Sequence, residues 1–452
     1  MKSFFVIFFI ISTSSCSFDN KTGIWKDASN TPVETQSIDS INENNVTSRF
    51  EDIFIKAEMF SEEIKISENL KLNLDSPTEN KNWLEKFGVK TNNISNSLYA
   101  GNKILISKSP KLSKHTTNES IVFFENNLIS FDHKGKIFFF SLDINKKIFD
   151  YNFYKKKFKN IKKILYLTVD KNILYVADNL GYIYAINLNN KLLIWAKNYG
   201  IPFRSNIKIV DDQIFAANQD NLIYSIDTKT GNKNWSFSTS LTFLKSDFKN
   251  NFVVDEINKN LYFLNTSGEL YSISYDNKKI NWVLNFKNST LTDNTDLFLS
   301  QPMVLKKNNL IISTEKALLS FNVLTGVRQW SFPSNSILKP ILTKNYVYIF
   351  SKNDLLICLD NKTGKVLWSK NIYNNLDKDL IKKNINNFHQ VGLANNQINL
   401  FSKSGYLALF NYKNGNLEYI KKISKNGISS EIIFMKKNMF LIDNKNKLLK
   451  FN

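Results

Sequence analysis

The sequence predicts an all-β chain: an eight-bladed β-propeller of four-stranded antiparallel blades, closed by pairing of N- and C-terminal segments. Three observations predict it. An aromatic residue recurs at intervals of 38 to 51 residues, the size of one four-stranded blade. A polar residue stands eight positions before each of these aromatics. Within the repeating units the apolar residues show no 3.6-residue period, which excludes a helical repeat.

The repeat is plainest in GYIYAINLNNKLLIW ending at Trp195, NLIYSIDTKTGNKNW at Trp235, GELYSISYDNKKINW at Trp282, KALLSFNVLTGVRQW at Trp330 and DLLICLDNKTGKVLW at Trp368. Two further copies end at Tyr151 and Tyr419. The polar positions are Asp143, Asn187, Asp227, Ser274, Asn322, Asp360 and Asn411, each preceded by an apolar residue. An earlier strand precedes each copy, among them LISFD at 128–132, LYVAD at 174–178 and VYIFS at 347–351. Turn formers such as Asn179, Gly181, Asp354 and Gly405 separate the two strands, so each pair is a hairpin. A second turn follows, Asp-x-x-Thr-Gly at Asp227 to Gly231 and at Asp360 to Gly364. There the Asx side chain bonds the backbone two residues on and Gly accepts a positive φ. Strands such as YIYAI and LLICL are apolar on both faces and suit the interior of a blade; the aromatics are expected to pack from the outer strand onto the next blade.

MFLID at 439–443 and NKLLKFN at 446–452 repeat the hairpin without an aromatic strand after it. Upstream, Asp75 and Trp83 show the same spacing of eight, so Trp83 is expected to lie on the missing outer strand of the last blade. The blade aromatics are then Trp83, Tyr151, Trp195, Trp235, Trp282, Trp330, Trp368 and Tyr419, and joining the two ends removes exposed sheet edges.

At the N-terminus, Lys2 precedes the apolar run Phe4 to Ile11, small residues from Ser12 to Ser15, and Cys16. A run this short does not span a bilayer, which takes about 20 apolar residues, and reads as an export signal. A cysteine just after the small residues is where lipoprotein signals place the acylated thiol; an ordinary secretory signal is the alternative. The expected organisation is a signal peptide at 1–15, lipidated (palmitate-bearing) Cys16 with a polar tether to residue 61, and the propeller at 62–452.

Composition removes several function classes. Lys and Arg number 60 against 40 Asp and Glu, a formal charge of +20, but only Arg49, Arg204 and Arg328 are arginines. A nucleic-acid reader draws on the guanidinium fork, whereas abundant Lys and Asn are what an AT-rich coding sequence writes everywhere, so no nucleic-acid partner is expected. Two cysteines and three histidines (His115, His133, His389) leave no disulfide scaffold, zinc finger or iron–sulfur site, and no metal site is expected. The basic run with Lys155, Lys156, Lys157, Lys159, Lys162 and Lys163 reads first as a solvated connection, with contact to anionic lipid headgroups as the alternative.

The repeat resembles the pyrroloquinoline-quinone-type propeller motif, loosely A-x-D-x-x-T-G-x-x-x-W, a motif specific for fold and nearly silent about function. With the lipoprotein signal, the short tether and eight copies, the chain looks most like the BamB-like lipoproteins of the β-barrel assembly machinery. That resemblance implies a non-catalytic scaffold without cofactor, lipid-anchored at the periplasmic face of the outer membrane. It would bind the barrel-inserting subunit and assist nascent outer-membrane proteins. It also implies a partner patch on two connections: Leu241, Phe243, Leu244 and Lys245 in SLTFLKSD, then Asp293 and Asp296 in TLTDNTD. Lys245 stands where the family usually has Arg, and two ordinary surface loops are the bland alternative. Quinoprotein dehydrogenases share the repeat and carry adjacent cysteines over the cofactor; this chain has no such pair, and Cys358 in LLICLD reads as a small buried hydrophobe. A lipid-anchored propeller that binds another protein or a glycan remains the second reading.

Overall fold

The computed structural model describes residues 58–154, 158–241, 251–286, 298–374, 385 and 387–452, together with the short strands at 17–18, 25–26 and 48–50. The chain divides into two units, residues 1–41 and residues 42–452. In the first, Ser17–Phe18 pairs antiparallel with Trp25–Lys26. The second is an all-β, eight-bladed propeller.

Blades 1 to 7 are four-stranded meanders spanning 122–152, 165–198, 208–238, 251–285, 304–332, 341–371 and 388–422. The first strands of successive blades contact one another around the axis, and the fourth strand of each lies toward the rim, with Ser48–Phe50 paired parallel outside the fourth strand of blade 4 as a fifth strand. Middle strands are buried along nearly their whole length, for instance Leu355–Asp360 in blade 6, because sheets lie on both of their faces. Blade 8 takes Ile433–Met435, Asn438–Ile442 and Leu448–Phe451 from the C-terminus and its outer strand, Leu105–Lys108, from the N-terminal side. The closing strand is therefore not the one containing Trp83, whose spacing from Asp75 is accidental. KILISK around residue 105 has the apolar content to pair with Leu448–Phe451, whereas Ser76–Pro77 interrupts the stretch before Trp83.

The turn between second and third strands is built alike in every blade. Asp132, Asp178, Asn218, Asn265, Thr314, Ser351, Ser402 and Asp443 each turn a side-chain oxygen toward backbone N–H groups two to four residues on. Such side chains hold the turn without help from neighbouring sheets.

Tryptophans on the fourth strands join blades. The indole N–H groups of Trp195, Trp282, Trp330 and Trp368 donate to the carbonyls of Thr228, Val323, Asn361 and Tyr412 in the last turn of the following blade, at 2.9 to 3.2 Å. The four rings lie over Gly231, Gly326, Gly364 and Gly415, all with positive φ, where an added Cβ would come within 2.8 Å of the ring. In blades 1, 2 and 4 this left-handed position is held by Asn145, Lys191 and Lys278. Where the ring lies over the turn, it adds to the turn's own need for glycine.

We predict that Gly364→Ala lowers stability by more than the roughly 1–2 kcal/mol of a left-handed alanine, since the Trp330 ring must also move. Trp368→Ala should cost about 3–5 kcal/mol. Urea midpoints check both, and an unchanged midpoint for either would remove the inter-blade stitch.

Candidate functional site

Two places in the propeller hold groups that its repeat does not explain: the axis and the pair of connections that follow blades 3 and 4.

Residues 78–100 run along the axis and bond the first strand of every blade. Trp83 pairs with Phe123 of blade 1 in both directions. The Leu84 carbonyl accepts from Val169 N–H of blade 2, Lys90 from Val254 of blade 4, and Thr91 from Leu305 of blade 5. In blade 3, Lys208 Nζ donates to the Val89 carbonyl and to Asn92 Oδ1 at 3.3 and 2.7 Å. Asn93 Nδ2 reaches the Leu342 carbonyl of blade 6, Ser97 N–H the Leu393 carbonyl of blade 7, and Asn80 Nδ2 the Phe434 carbonyl of blade 8. The tight turn at Phe87–Gly88, both at positive φ, folds Gly88 against the Trp83 ring.

The centre of this packing is an ion pair. Glu85 and Lys208, both buried, lie 3.3 Å apart. Burial pushes the Glu85 carboxyl up and the Lys208 ammonium down, while their mutual attraction opposes both shifts. Lys339 of the blade 5–6 connection donates to the Asn92 carbonyl at 3.0 Å and lies over the Phe87 ring. Burial and the nearby Lys208 push it down to about 8. A planar cofactor held on the axis would need the space these side chains fill. Among the described residues no group of three or more His, Cys, Asp or Glu could hold a metal ion. Cys358 lies fully buried on the third strand of blade 6, its thiol pushed up by burial, with none of the surroundings of a reactive thiolate. The residues present do not fit a quinone cofactor.

The second place is on the opposite end of the blades from the Asp-x-x-Thr-Gly turns. The connection after blade 3 leaves through a polar network shared with blade 4. Thr239 Oγ1 donates to the Asn221 carbonyl, Asn265 Nδ2 donates to Thr239 Oγ1, and Ser240 Oγ donates to Glu269 Oε1 at 2.6 Å. Tyr271 OH holds the other Glu269 oxygen at 2.7 Å. The connection after blade 4 is held at its roots by the stacked rings of Phe286 and Phe298, centroids 5.6 Å apart. Asn251 Nδ2, at the end of the first connection, donates to Ser300 Oγ, at the end of the second, at 2.8 Å. The roots of the two connections are thus tied to one another.

Of the patch expected from the sequence, Leu241 is described and exposed. Phe243, Leu244, Lys245, Asp293 and Asp296 lie outside the described residues, as do Cys16 and Lys155 to Lys157. In the rest of that basic run Lys159 and Lys162 are exposed, whereas Lys163 is buried with its ammonium on the Phe158 and Ile161 carbonyls. Tyr151 and Tyr419 are half-buried on the fourth strands of blades 1 and 7; Trp235 packs on Phe215 within blade 3. Trp83 belongs to the axis, as described above. Sequence reasoning missed Glu85, Asn92, Lys208 and Lys339. The available signal was Lys208 itself, a lysine inside the apolar strand NIKIV.

Residues 152–370 match a family model described as outer membrane protein assembly factor BamB. A curated relative, an uncharacterized protein of Rickettsia prowazekii (strain Madrid E), is 25% identical over 327 residues, 68% of this chain and 76% of the relative. A second, from Rickettsia conorii, is 22% identical over 348 residues, 73% and 81% of the two chains. Among solved structures, BamB of Moraxella catarrhalis superimposes with a TM-score of 0.60 at 12% identity, covering 77% of this chain and 99% of that one. A quinohemoprotein alcohol dehydrogenase of Pseudomonas putida HK5 gives 0.59 at 10% identity, covering 83% and 80%. The structural likenesses, at 12% and 10% identity, agree in fold with the eight-bladed propeller described above. The chain is a BamB-like propeller of the pyrroloquinoline-quinone repeat type, similar over residues 152–370 to the family described as outer membrane protein assembly factor BamB.

If the axial pair is as described, Lys208→Met leaves a buried carboxylate without its cation and should cost about 3–5 kcal/mol. Glu85→Leu with Lys208→Met should recover most of that loss. Urea unfolding of the three proteins checks it; a neutral Lys208→Met would take residues 83–92 off the axis.

Proposed function

We propose that this protein is a non-catalytic scaffold lipoprotein of a β-barrel assembly machinery, anchored through acylated Cys16 at the periplasmic face of the outer membrane. It binds the barrel-inserting subunit and assists the insertion of nascent outer-membrane proteins. The observation that carries the reading is the match of residues 152–370 to the BamB family model, a span that contains both connections with tied roots. The filled axis speaks against the dehydrogenase reading, although quinoprotein enzymes share the fold.

In this reading Leu241, Phe243 and Leu244 supply an apolar centre for the contact. Lys245, Asp293 and Asp296 fix its register and reject partners of the wrong charge pattern. The network of Thr239, Asn265 and Glu269 and the stacked Phe286 and Phe298 position the two connections. Truncating a buried apolar anchor can cost about 2 kcal/mol or more of binding energy.

Leu244→Ala combined with Asp293→Ala in the full chain should therefore cut recovery of the barrel-inserting subunit from solubilised membranes by about tenfold or more, at an unchanged thermal midpoint. Charge reversal at Lys155 to Lys157 should change recovery much less. Full recovery by the double variant, with loss by the lysine variant, would move the interface to the basic connection.

A further inference from the structure

Eightfold repetition allows one position to be compared across all blades. Each fourth strand carries a one-residue bulge against the third, and the extra residue points outward at the rim. In blades 3, 4, 5 and 7 that residue is Asn234, Asn281, Gln329 and Glu418. Three of these lie back on neighbouring polar groups: Asn281 Nδ2 donates to Ser272 Oγ, Gln329 Oε1 accepts from Ser320 Oγ, and Glu418 Oε2 accepts from Gln397 Nε2. Blade 6 has Leu367, and there the chain covers its own rim. Ile64 pairs with Ser369, and Leu367 and Ile66 pack against the same core. Blades 8, 1 and 2, consecutive around the ring, have Ile106, Ile148 and Ile194, which are 49%, 40% and 46% exposed.

The fold does not ask for isoleucine here, since four blades make the same bulge with a polar side chain. In the one other blade with an aliphatic residue, that residue is covered. The uncovered isoleucines are continued by more exposed aliphatics on the same rims, Ile104 and Leu105 in blade 8 and Leu192 and Leu193 in blade 2. Lysines flank each group: Lys103 and Lys108, Lys146 and Lys147, Lys191 and Lys197. The acids on these rims are few and engaged. Asp150 is held by Lys136 and Lys147, Asp143 by Asn126, and Asp443 is buried beside Lys108.

We propose that the rim of blades 8, 1 and 2 docks on an anionic lipid surface. An extended strand laid on a rim, as residues around Ile64 lie on blade 6, covers one blade, whereas here three consecutive blades are aliphatic. Ile104 to Ile106 and Leu192 to Ile194 are exposed as consecutive residues at the bulge, so each run makes a continuous aliphatic edge wider than one face of a strand offers. A medium that surrounds the rim covers such an edge whole. The interfacial zone of a bilayer does so, and its anionic headgroups match the flanking lysines. The site is separate from the connections after blades 3 and 4 and does not depend on acylation of Cys16.

The test uses the full chain with Cys16→Ser and Cys358 left buried. An environment-sensitive dye is attached at Ile148→Cys or Ile194→Cys, with the equivalent blade 3 position, Asn234→Cys, as control. The dye reports its own surroundings, however the N-terminus partitions. With phosphatidylglycerol vesicles, emission at 148 and 194 should shift to the blue and emission at 234 should not. Changing Lys103, Lys147, Lys191 and Lys197 to Gln should raise the lipid concentration for half-maximal shift by about tenfold or more. The triple variant Ile106→Asn, Ile148→Asn and Ile194→Asn copies blades 3 and 4; with the dye at Leu193→Cys it should lose the shift while keeping its thermal midpoint. The proposal is overturned by no shift at 148 or 194, by an equal shift at 234, or by an equal response to phosphatidylcholine vesicles. A shift that needs an added membrane protein overturns it in favour of a protein occupant.

Discussion

Eight sheets arranged around one axis leave a space at the centre that has to be filled, and in this chain residues 80–97 fill it. The segment forms no continuous strand with any blade; it takes a bond from or gives one to each in turn. Its backbone polar atoms lie deep in the molecule and need partners there, and the inner strands offer theirs around the whole ring. The Glu85–Lys208 pair fixes the arrangement, because neither charge is tolerated at that depth without the other. The functional reading depends on this constraint. A propeller whose axis is occupied by its own backbone has its outer connections and its rim left for binding.

Departures from eightfold symmetry carry the remaining information. A tryptophan ring resting on the next blade excludes every side chain at the turn beneath it, so Gly231, Gly326, Gly364 and Gly415 occur where that ring is present. In blades 1, 2 and 4 Asn145, Lys191 and Lys278 take the same left-handed turn. The rim bulge varies more freely, since in most blades its side chain is exposed among the described residues. Its changes from Asn, Gln and Glu to Ile in consecutive blades reflect contacts made outside the ring.

The blades were legible in the sequence because their determinants are local. An Asx side chain bonds its own turn, a glycine accepts a positive φ, and an aromatic falls at a fixed offset from both, so seven copies stood out without any knowledge of contacts. The axial segment was not legible. Its partners are spread from Phe123 to Phe434 and are mostly backbone N–H and C=O groups, which leave no mark on residue type. Trp83 shows the hazard of offset alone: it matches the repeat spacing from Asp75 but has no strand-forming stretch around it, and it belongs to the axis. The two connections proposed for the partner contact are read from the sequence as loops. Their tied roots, Asn251 to Ser300 and Phe286 to Phe298, became visible only in three dimensions.

Native-state hydrogen exchange resolved along the chain tests the central claim most directly. The amides of Trp83, Gly88, Asn92, Ser97 and Leu98 donate to backbone carbonyls inside the ring. If residues 83–97 are a permanent part of the core, these amides exchange as slowly as those of Val169, Val254 and Leu305 on the first strands, and all open together on global unfolding. If they exchange within seconds while the first strands stay protected, the segment leaves the axis in the native state, and the axis becomes a ligand site after all.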